Sequence, residues 1–157
     1  MVSAMTASKP GYADFSWIVE KQRNHFRVHT SAYTDQEIYE REVTHIFERV
    51  WTFVGHVSEI PDPGDYKTAY LGRQPVIVVR DRDGGLRVLI NRCVHRGAAL
   101  CRETSGNARA FVCPYHGWSY DLSGKLIGIT DRKVAGGYAD DFDEPEGLMR
   151  VPHVGVY

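Results

Sequence analysis

The sequence has 157 residues, 43% of them hydrophobic and 25% charged, and its 19 basic and 20 acidic residues leave a net charge of −1. This composition is typical of a soluble globular protein and provides no positive field that would attract nucleic acid. No apolar run approaches the roughly 18 residues that a membrane-spanning helix needs, and the N-terminus lacks a secretory signal pattern. We therefore expect a cytoplasmic protein that binds neither nucleic acid nor a membrane.

The first part of the chain is predicted to contain an arm and one helix. Residues 1–30 are polar and aperiodic, which predicts a loosely held arm. Residues 31–157 are expected to form a single domain that begins with a helix over about 35–51. Thr34 is the predicted N-cap of this helix, with Glu37 as its capping-box partner. Apolar residues then recur at helical spacing and predict a face that packs on a core: Ile38, Val43, Ile46, Phe47 and Val50.

After Trp51 the pattern changes to short apolar runs separated by turn residues. The turn segments "PDPGD" and "DRDGG" each separate two such runs, and Asp-Gly is a strong hairpin signal. This pattern predicts a mainly β fold, with an antiparallel β-sheet domain following one N-terminal helix. The predicted strands cover residues 52–57, 66–72, 75–80, 86–91, 110–113, 118–129 with an internal Ser-Gly turn, and 149–157.

All three cysteines and two of the seven histidines lie in residues 91–121, "NRCVHRGAALCRETSGNARAFVCPYHGWSYD". Cys93 and His95 form one pair, and Cys113 and His116 form another. Each pair follows a predicted strand, so two turns at the tip of a sheet can converge on one site. Three cysteines are too few for a disulfide scaffold, and their clustering with histidines points to metal.

The pairing of donors favours one kind of metal site over another. Zinc modules use the same donors, but their usual spacings pair Cys with Cys and His with His. Here each turn carries one Cys and one His, which suits a [2Fe-2S] cluster with both Cys on one iron and both His on the other. A zinc-binding interaction module remains the less favoured alternative.

Several neighbouring residues have structural roles in this interpretation. Cys101 lies outside both turns and is expected to be a small buried apolar residue rather than a ligand. Gly97 and Gly117 follow the histidines, where the backbone needs a positive φ or a close approach. Tyr115 and Trp118 are expected to pack around the cluster and screen it from water.

The motifs "CVHRG" and "CPYHGWSYD" resemble the Rieske motif of the large (alpha) subunit of aromatic-ring-hydroxylating dioxygenases. The resemblance covers most of the chain from about Phe26, and "FRVH", "HIFERVW" and "LGRQPV" are most similar to the benzoate, toluate and anthranilate branch. It implies a Rieske-type antiparallel domain with two cluster-binding loops within residues 91–121. The implied ligands of the [2Fe-2S] cluster are Cys93 and Cys113 on the inner iron and His95 and His116 on the outer iron.

The resemblance also implies a function. The chain would be an oxidoreductase component that receives electrons from a reductase or ferredoxin and passes them to a mononuclear iron that hydroxylates an aromatic substrate, an aromatic acid in this branch. That Fe(II) belongs to a C-terminal catalytic domain expected to be absent from this chain, so no catalytic residue is assigned and oxygenation by the chain alone is not expected. Implied partners are the catalytic domain or a neighbouring alpha subunit, and a small beta subunit. A free-standing Rieske ferredoxin is the alternative.

The residues around the motif also predict the redox potential. In respiratory-type Rieske proteins, a Ser and a Tyr hydroxyl donate to sulfur and a disulfide joins the two loops. By resemblance, Tyr120 retains the Tyr position, Trp118 replaces the Ser, and Ala98 and Tyr115 replace the disulfide cysteines. Because a lost donor leaves the reduced cluster less stabilised, we predict a midpoint at the low end of the Rieske range, about −150 mV.

Overall fold

The computed structural model describes residues 15–134 and 137–157. The chain divides into two compact units, Met1–Arg49 and Val50–Tyr157. This boundary falls at residue 49, whereas the sequence predicts one at residue 30, and the extent of the domain stays a prediction. Within the described ranges, no helix has both the length and the apolar character needed to cross a bilayer.

In the first unit, the predicted arm contains ordered elements over its described part, and residues 1–14 lie outside that part. A 3₁₀ turn, Ser16–Ile18, leads into an antiparallel hairpin of β1 (Val19–Gln22) and β2 (His25–Val28). Two helices follow, α1 (Ser31–Thr34) and α2 (Gln36–Glu42). A π-helical turn, Val43–Phe47, then ends the helical segment before residue 51, which the sequence predicts as the end.

The helix cap and the helix face both differ from the sequence-based prediction. Asp35, not Thr34, is the N-cap of α2, because its carboxylate accepts from the backbone N–H of Glu37 at 3.0 Å and of Ile38 at 3.4 Å. Thr34 ends the preceding helix instead, and its hydroxyl donates to the Thr30 carbonyl. The apolar stripe is also interrupted, since the π-helical turn shifts the helical period. Ile38 and Val43 are buried, whereas three residues of the stripe are exposed: Ile46, Phe47 and Val50.

The second unit is built from two antiparallel sheets, which confirms the mainly β prediction. The four-stranded sheet has the order β5-β4-β3-β6, and the three-stranded sheet has the order β7-β8-β9. The strands are β3 (Asp65–Leu71), β4 (Gln74–Arg80), β5 (Leu86–Ile90), β6 (Ser105–Asn107), β7 (Phe111–Val112), β8 (Ser119–Tyr120) and β9 (Leu126–Gly128).

The "DRDGG" hairpin forms as predicted between β4 and β5, with Val78 opposite Val88. Asp81 begins its turn and is buried, with 4% of its surface exposed. Its carboxylate accepts from Gly85 N–H at 2.8 Å and from Arg87 Nε at 2.8 Å. The turn therefore has both the backbone shape and the buried acceptor that stabilise a hairpin.

Two of the predicted strands do not form as strands. Residues 52–57 do not pair, because the end of the segment is taken by a 3₁₀ turn, Val57–Glu59. In this turn His56 N–H donates to Glu59 Oε1 at 2.6 Å, which closes a capping box. Of residues 149–157, only Arg150 forms a bridge, opposite Leu89.

Alternation along β4 divides the core of the second unit in two. Ile77 and Val79 point to one face and Val76 and Val78 to the other, as the period of two in a strand requires. The first face contributes to a buried cluster that also contains all three cysteines. The metal-site candidates therefore lie on the packed face of the sheet.

Candidate metal centre

The two Cys/His turns have the same backbone hydrogen-bond pattern. Gly97 N–H donates to the Cys93 carbonyl at 2.8 Å, and Cys93 N–H donates to the Ala98 carbonyl at 2.8 Å. In the second turn, Gly117 N–H donates to the Cys113 carbonyl at 2.9 Å, and Cys113 N–H donates to Trp118 at 2.8 Å. Each turn therefore closes on its own cysteine, and both cysteines belong to the same buried cluster.

The glycine of each turn has a backbone that other residues rarely adopt. Gly97 and Gly117 both have φ of 71°, which confirms the predicted positive φ. A Cβ on Gly97 would meet no atom within 4 Å, whereas one on Gly117 would overlap with the Thr130 hydroxyl. The second glycine thus serves both the turn and a close approach.

The four predicted ligands come together in this region. Cys93 and Cys113 are free thiols with 3% of their surface exposed, and both belong to the same buried cluster. The rings of His95 and His116 contact each other edge-on, with centroids 4.7 Å apart. The histidines are less buried than the cysteines, so the donors form an inner sulfur pair and an outer nitrogen pair.

Each imidazole has a buried nitrogen without a hydrogen-bond partner among the described residues. The Nδ1 atoms of His95 and His116 are buried and have no hydrogen-bond partner in the described part of the chain. A buried polar atom left unpaired costs roughly 1–3 kcal/mol, so two such atoms side by side need an explanation. A metal bond to each Nδ1 supplies one, and the donor set therefore fits a bound metal group.

Protonation at the site also favours metal ligation. Burial, followed by the nearby charges of His116 and Arg96, lowers the pKa of His95. The neutral imidazole is therefore favoured, and only a deprotonated ring nitrogen can bind a metal.

A hydroxyl lies beside the sulfur of one of the two predicted cysteine ligands, at the Tyr position that the resemblance implies. Tyr120 Oη is 3.1 Å from Cys93 Sγ. Burial, followed by the hydrogen bond to Cys93, raises the pKa of Tyr120. The hydroxyl thus keeps its proton and can donate it to a thiolate sulfur, a charge-assisted bond that disperses charge on the sulfur.

Trp118 packs against the site in a way that joins the two turns. Its ring comes from the second turn and stacks on His95 of the first, with centroids 4.8 Å apart and planes 5° from parallel. Trp118 is 2% exposed, and Tyr138 and Phe142 contact its ring edge-on. Trp118 is thus buried packing beside His95, and its screening of the cluster stays a prediction.

Tyr115 behaves differently from that prediction. Its ring stacks on His116 with centroids 3.7 Å apart, but 59% of its surface remains exposed. It therefore covers one face of the imidazole without excluding water from the surrounding surface.

Residues beyond the motif contribute contacts that the sequence did not indicate. Tyr138 and Phe142 lie far along the chain from the turns and have no periodic pattern that could mark them. Arg132 fixes their segment, since its guanidinium donates to Glu144 Oε1 at 2.6 Å and to the Ala139 carbonyl at 2.9 Å. Glu144, the acidic partner in this ion pair, lies in the acid-rich segment 140–146, "DDFDEPE".

The third cysteine has the buried structural role that was predicted. Cys101 lies in the core, and burial raises the pKa of its thiol to about 11. Its backbone is held by Asn91, another residue that the sequence did not single out. A thiol with this pKa stays protonated near neutral pH and is not a ready metal ligand.

No group of three or more His, Cys, Asp or Glu side chains that could hold one metal ion occurs in the described ranges. A binuclear cluster does not require such a group, because each of its irons takes only two protein ligands.

Comparison with known families decides which metal group this arrangement serves. A family model described as the Rieske [2Fe-2S] domain matches residues 50–139. The chain belongs to this family. Its cofactor is therefore a Rieske [2Fe-2S] cluster, as predicted, and the zinc alternative is not supported.

Relatives of this Rieske domain are oxygenase subunits. It is 42% identical over 134 residues to biphenyl 2,3-dioxygenase subunit alpha of Rhodococcus jostii (strain RHA1), which covers 84% of the chain and 29% of the relative. It is 43% identical over 128 residues to toluate 1,2-dioxygenase subunit alpha of Pseudomonas putida, covering 80% of the chain and 28% of the relative. Because the two identities are nearly equal, the assignment to the aromatic-acid branch stays a prediction.

The same relationship holds for solved structures. Naphthalene 1,2-dioxygenase from Rhodococcus sp. superposes with a TM-score of 0.75 at 37% identity, covering 83% of the chain and 29% of that structure. This match confirms the Rieske-type antiparallel fold. In each comparison the chain spans less than a third of the relative's length.

Proposed function

We propose that the chain is the Rieske electron-transfer domain of an aromatic-ring-hydroxylating dioxygenase large subunit, an oxidoreductase component in the cytoplasm. The observation that carries this proposal is the pair of facing turns, in which two buried free cysteines lie with two histidines whose buried Nδ1 atoms lack partners. The alpha subunits among its relatives support the dioxygenase assignment and disfavour a free-standing ferredoxin.

Burial supports a specific division of the four ligands. Cys93 and Cys113 would hold the inner iron, because they are almost fully buried, and His95 and His116 would hold the outer iron. When bound, the cluster supplies a site that accepts and releases one electron, at a potential raised by its two neutral imidazoles.

The surrounding residues orient and shield this site. With Cys93 as a thiolate ligand, Tyr120 would donate a hydrogen bond to its sulfur and stabilise the negative charge there. Trp118 holds the plane of the His95 ring and excludes water from its stacked face. A cavity of about 650 Å³ borders both histidines and Tyr138. The imidazole side is therefore the side on which a redox partner can approach most closely.

The proposed partners follow from this one-electron role. The electron donor would be a reductase or ferredoxin. The acceptor would be the mononuclear iron of a catalytic domain or of a neighbouring alpha subunit, in an enzyme with a small beta subunit. The substrate would be an aromatic compound, including the aromatic acids of the toluate branch.

The proposal is tested by counting iron and electrons in purified protein. We expect two irons and two sulfides per chain, and a reductive titration that ends at one electron per chain. The variant Cys113→Ser should lose the bound iron and sulfide and the capacity to accept an electron, because it removes a thiolate ligand. The matched control Cys101→Ala, which alters a buried cysteine outside the turns, should retain all of these. Bound zinc without iron, or equal loss in the two variants, would contradict the proposal.

A further inference from the structure

Asn91 is a buried polar residue whose side chain bridges the two ends of the first turn. It directly follows β5 and is 4% exposed. Its Oδ1 accepts from the backbone N–H groups of Leu100 and Cys101, both at 3.0 Å, and its Nδ2 donates to the Cys101 carbonyl at 2.7 Å. Three hydrogen bonds from one side chain therefore join residue 91 to residues 100–101.

The first turn needs such a bridge because strand pairing does not supply one. The second turn lies between β7 and β8, which pair directly, with Phe111 opposite Tyr120. The strands on either side of the first turn do not pair with each other, since β5 pairs with β4 and β6 pairs with β3. Backbone bonds close residues 93–98, and the ends of the longer segment 91–101 are joined through the Asn91 side chain.

Closing the ends of a segment restricts the conformations of everything between them. The segment closed by Asn91 contains Cys93 and His95, one sulfur and one nitrogen donor. All three cysteines are free, so no disulfide provides this restraint. Breaking the bridge would also leave the buried N–H groups of Leu100 and Cys101 unpaired, which favours opening of the segment.

We propose that Asn91 is the positioning residue of the first turn, which holds Cys93 and His95 in ligand geometry and so controls how fast the chain loses iron. This inference rests on the proposed assignment of Cys93 and His95 as cluster ligands. The hydrogen bonds of the Asn91 side chain go to the backbone of Leu100 and Cys101. Its action is through the backbone of the segment that carries them.

Asp81 provides a matched control. It is also 4% exposed, it accepts three hydrogen bonds, and it lies before β5 whereas Asn91 follows it. Asn91→Ala and Asp81→Ala therefore both remove a buried three-bond side chain, but only Asn91→Ala opens the ligand segment. A general loss of stability should affect both variants alike.

The measurement is the rate of iron loss to an excess of a ferrous chelator after reduction, followed by the visible absorbance of the cluster. We expect Asn91→Ala to lose iron at least about tenfold faster than the native chain, and Asp81→Ala to remain close to native. The EPR spectrum of the reduced cluster should change in Asn91→Ala and not in Asp81→Ala. Equal rates and equal spectra in the two variants would overturn the inference.

A conservative variant covers the case in which Asn91→Ala does not fold. Asn91→Asp retains Oδ1 and replaces the donor Nδ2. Its rate of iron loss should lie between that of the native chain and that of Asn91→Ala. If Asn91→Ala does not fold, the rate for Asn91→Asp should still exceed the native rate. A native rate with an unchanged EPR spectrum in Asn91→Asp would also overturn the inference. If the native chain held no iron, the proposed function would be wrong as well. If the native chain held the cluster and the Asn91 variants lost iron at the native rate, only the inference about Asn91 would be wrong.

Discussion

Burial alone does not distinguish Cys93 from Cys101, but the contacts and the thiol pKa do. All three are buried, but Cys93 has the Tyr120 hydroxyl 3.1 Å from its sulfur. Cys101 has a thiol whose pKa burial raises to about 11. The Cys93 sulfur therefore has a hydroxyl partner, whereas burial disfavours a thiolate at Cys101, although both cysteines lie within residues 91–121.

The contacts around the sulfurs bear on the midpoint potential. In the described ranges, the Tyr120 hydroxyl is the one side-chain hydroxyl found on a predicted ligand sulfur, while the Ser119 hydroxyl donates to the Gly117 carbonyl. With a single such donor, we expect the cluster to have a midpoint potential of about −150 mV, measured by a spectroelectrochemical titration. A midpoint well above zero would contradict this prediction.

The substitution Tyr120→Phe should lower the midpoint potential. It removes the donor to the Cys93 sulfur, and the reduced cluster, which carries the extra negative charge, loses more stabilisation than the oxidised one. We expect a decrease of about 50 mV. Tyr66→Phe is the control, because Tyr66 packs edge-on against Phe111 in the same core. Equal shifts in the two variants would show that the hydroxyl on sulfur has no specific effect.

The two turns are similar as elements, although their histidines occupy different positions. His95 follows its cysteine by two residues and His116 by three, yet the backbone bonds that close the turns are equivalent. The shared element is therefore the turn, and the two histidine rings contact each other edge-on from different turns.

Alanine substitutions at the two turn glycines should have unequal effects. Gly97→Ala introduces only the cost of a positive φ, about 1–2 kcal/mol. Gly117→Ala introduces the same cost and an overlap with Thr130, which should add about 1 kcal/mol or more. Urea denaturation followed by far-UV circular dichroism measures the difference. If Thr130→Ala failed to recover part of the loss in Gly117→Ala, the overlap would not be its cause.

The cap of α2 provides an independent test in the first unit. Asp35→Ala should destabilise the first turn of the helix by about 1 kcal/mol, because two backbone N–H groups lose their acceptor. Amide hydrogen exchange at Glu37 and Ile38 should then be faster by about fivefold. Thr34→Ala, at the cap position that the sequence suggests, should leave that exchange nearly unchanged. The opposite ranking would restore Thr34 as the cap.

For the molecule as a whole, the sequence predicts what depends on local pattern. The β4–β5 hairpin follows from Asp-Gly, and the four ligand candidates follow from their spacing. It does not predict what depends on distant contacts. Strand β6 has the sequence Ser-Gly-Asn, which has low β propensity, and it forms because β3 offers an edge. Asn91 likewise becomes recognisable only when its partners at residues 100–101 are known.

Pulsed EPR of the dithionite-reduced native chain, with histidine labelled with ¹⁵N, tests the central claim most directly. If Cys93, Cys113, His95 and His116 are the ligands, the reduced cluster is paramagnetic and couples strongly to two histidine nitrogens. The couplings should fall to one nitrogen in His116→Cys, provided that this variant retains iron. A reduced chain without a paramagnetic cluster, or one whose native spectrum lacks histidine couplings, would contradict the account.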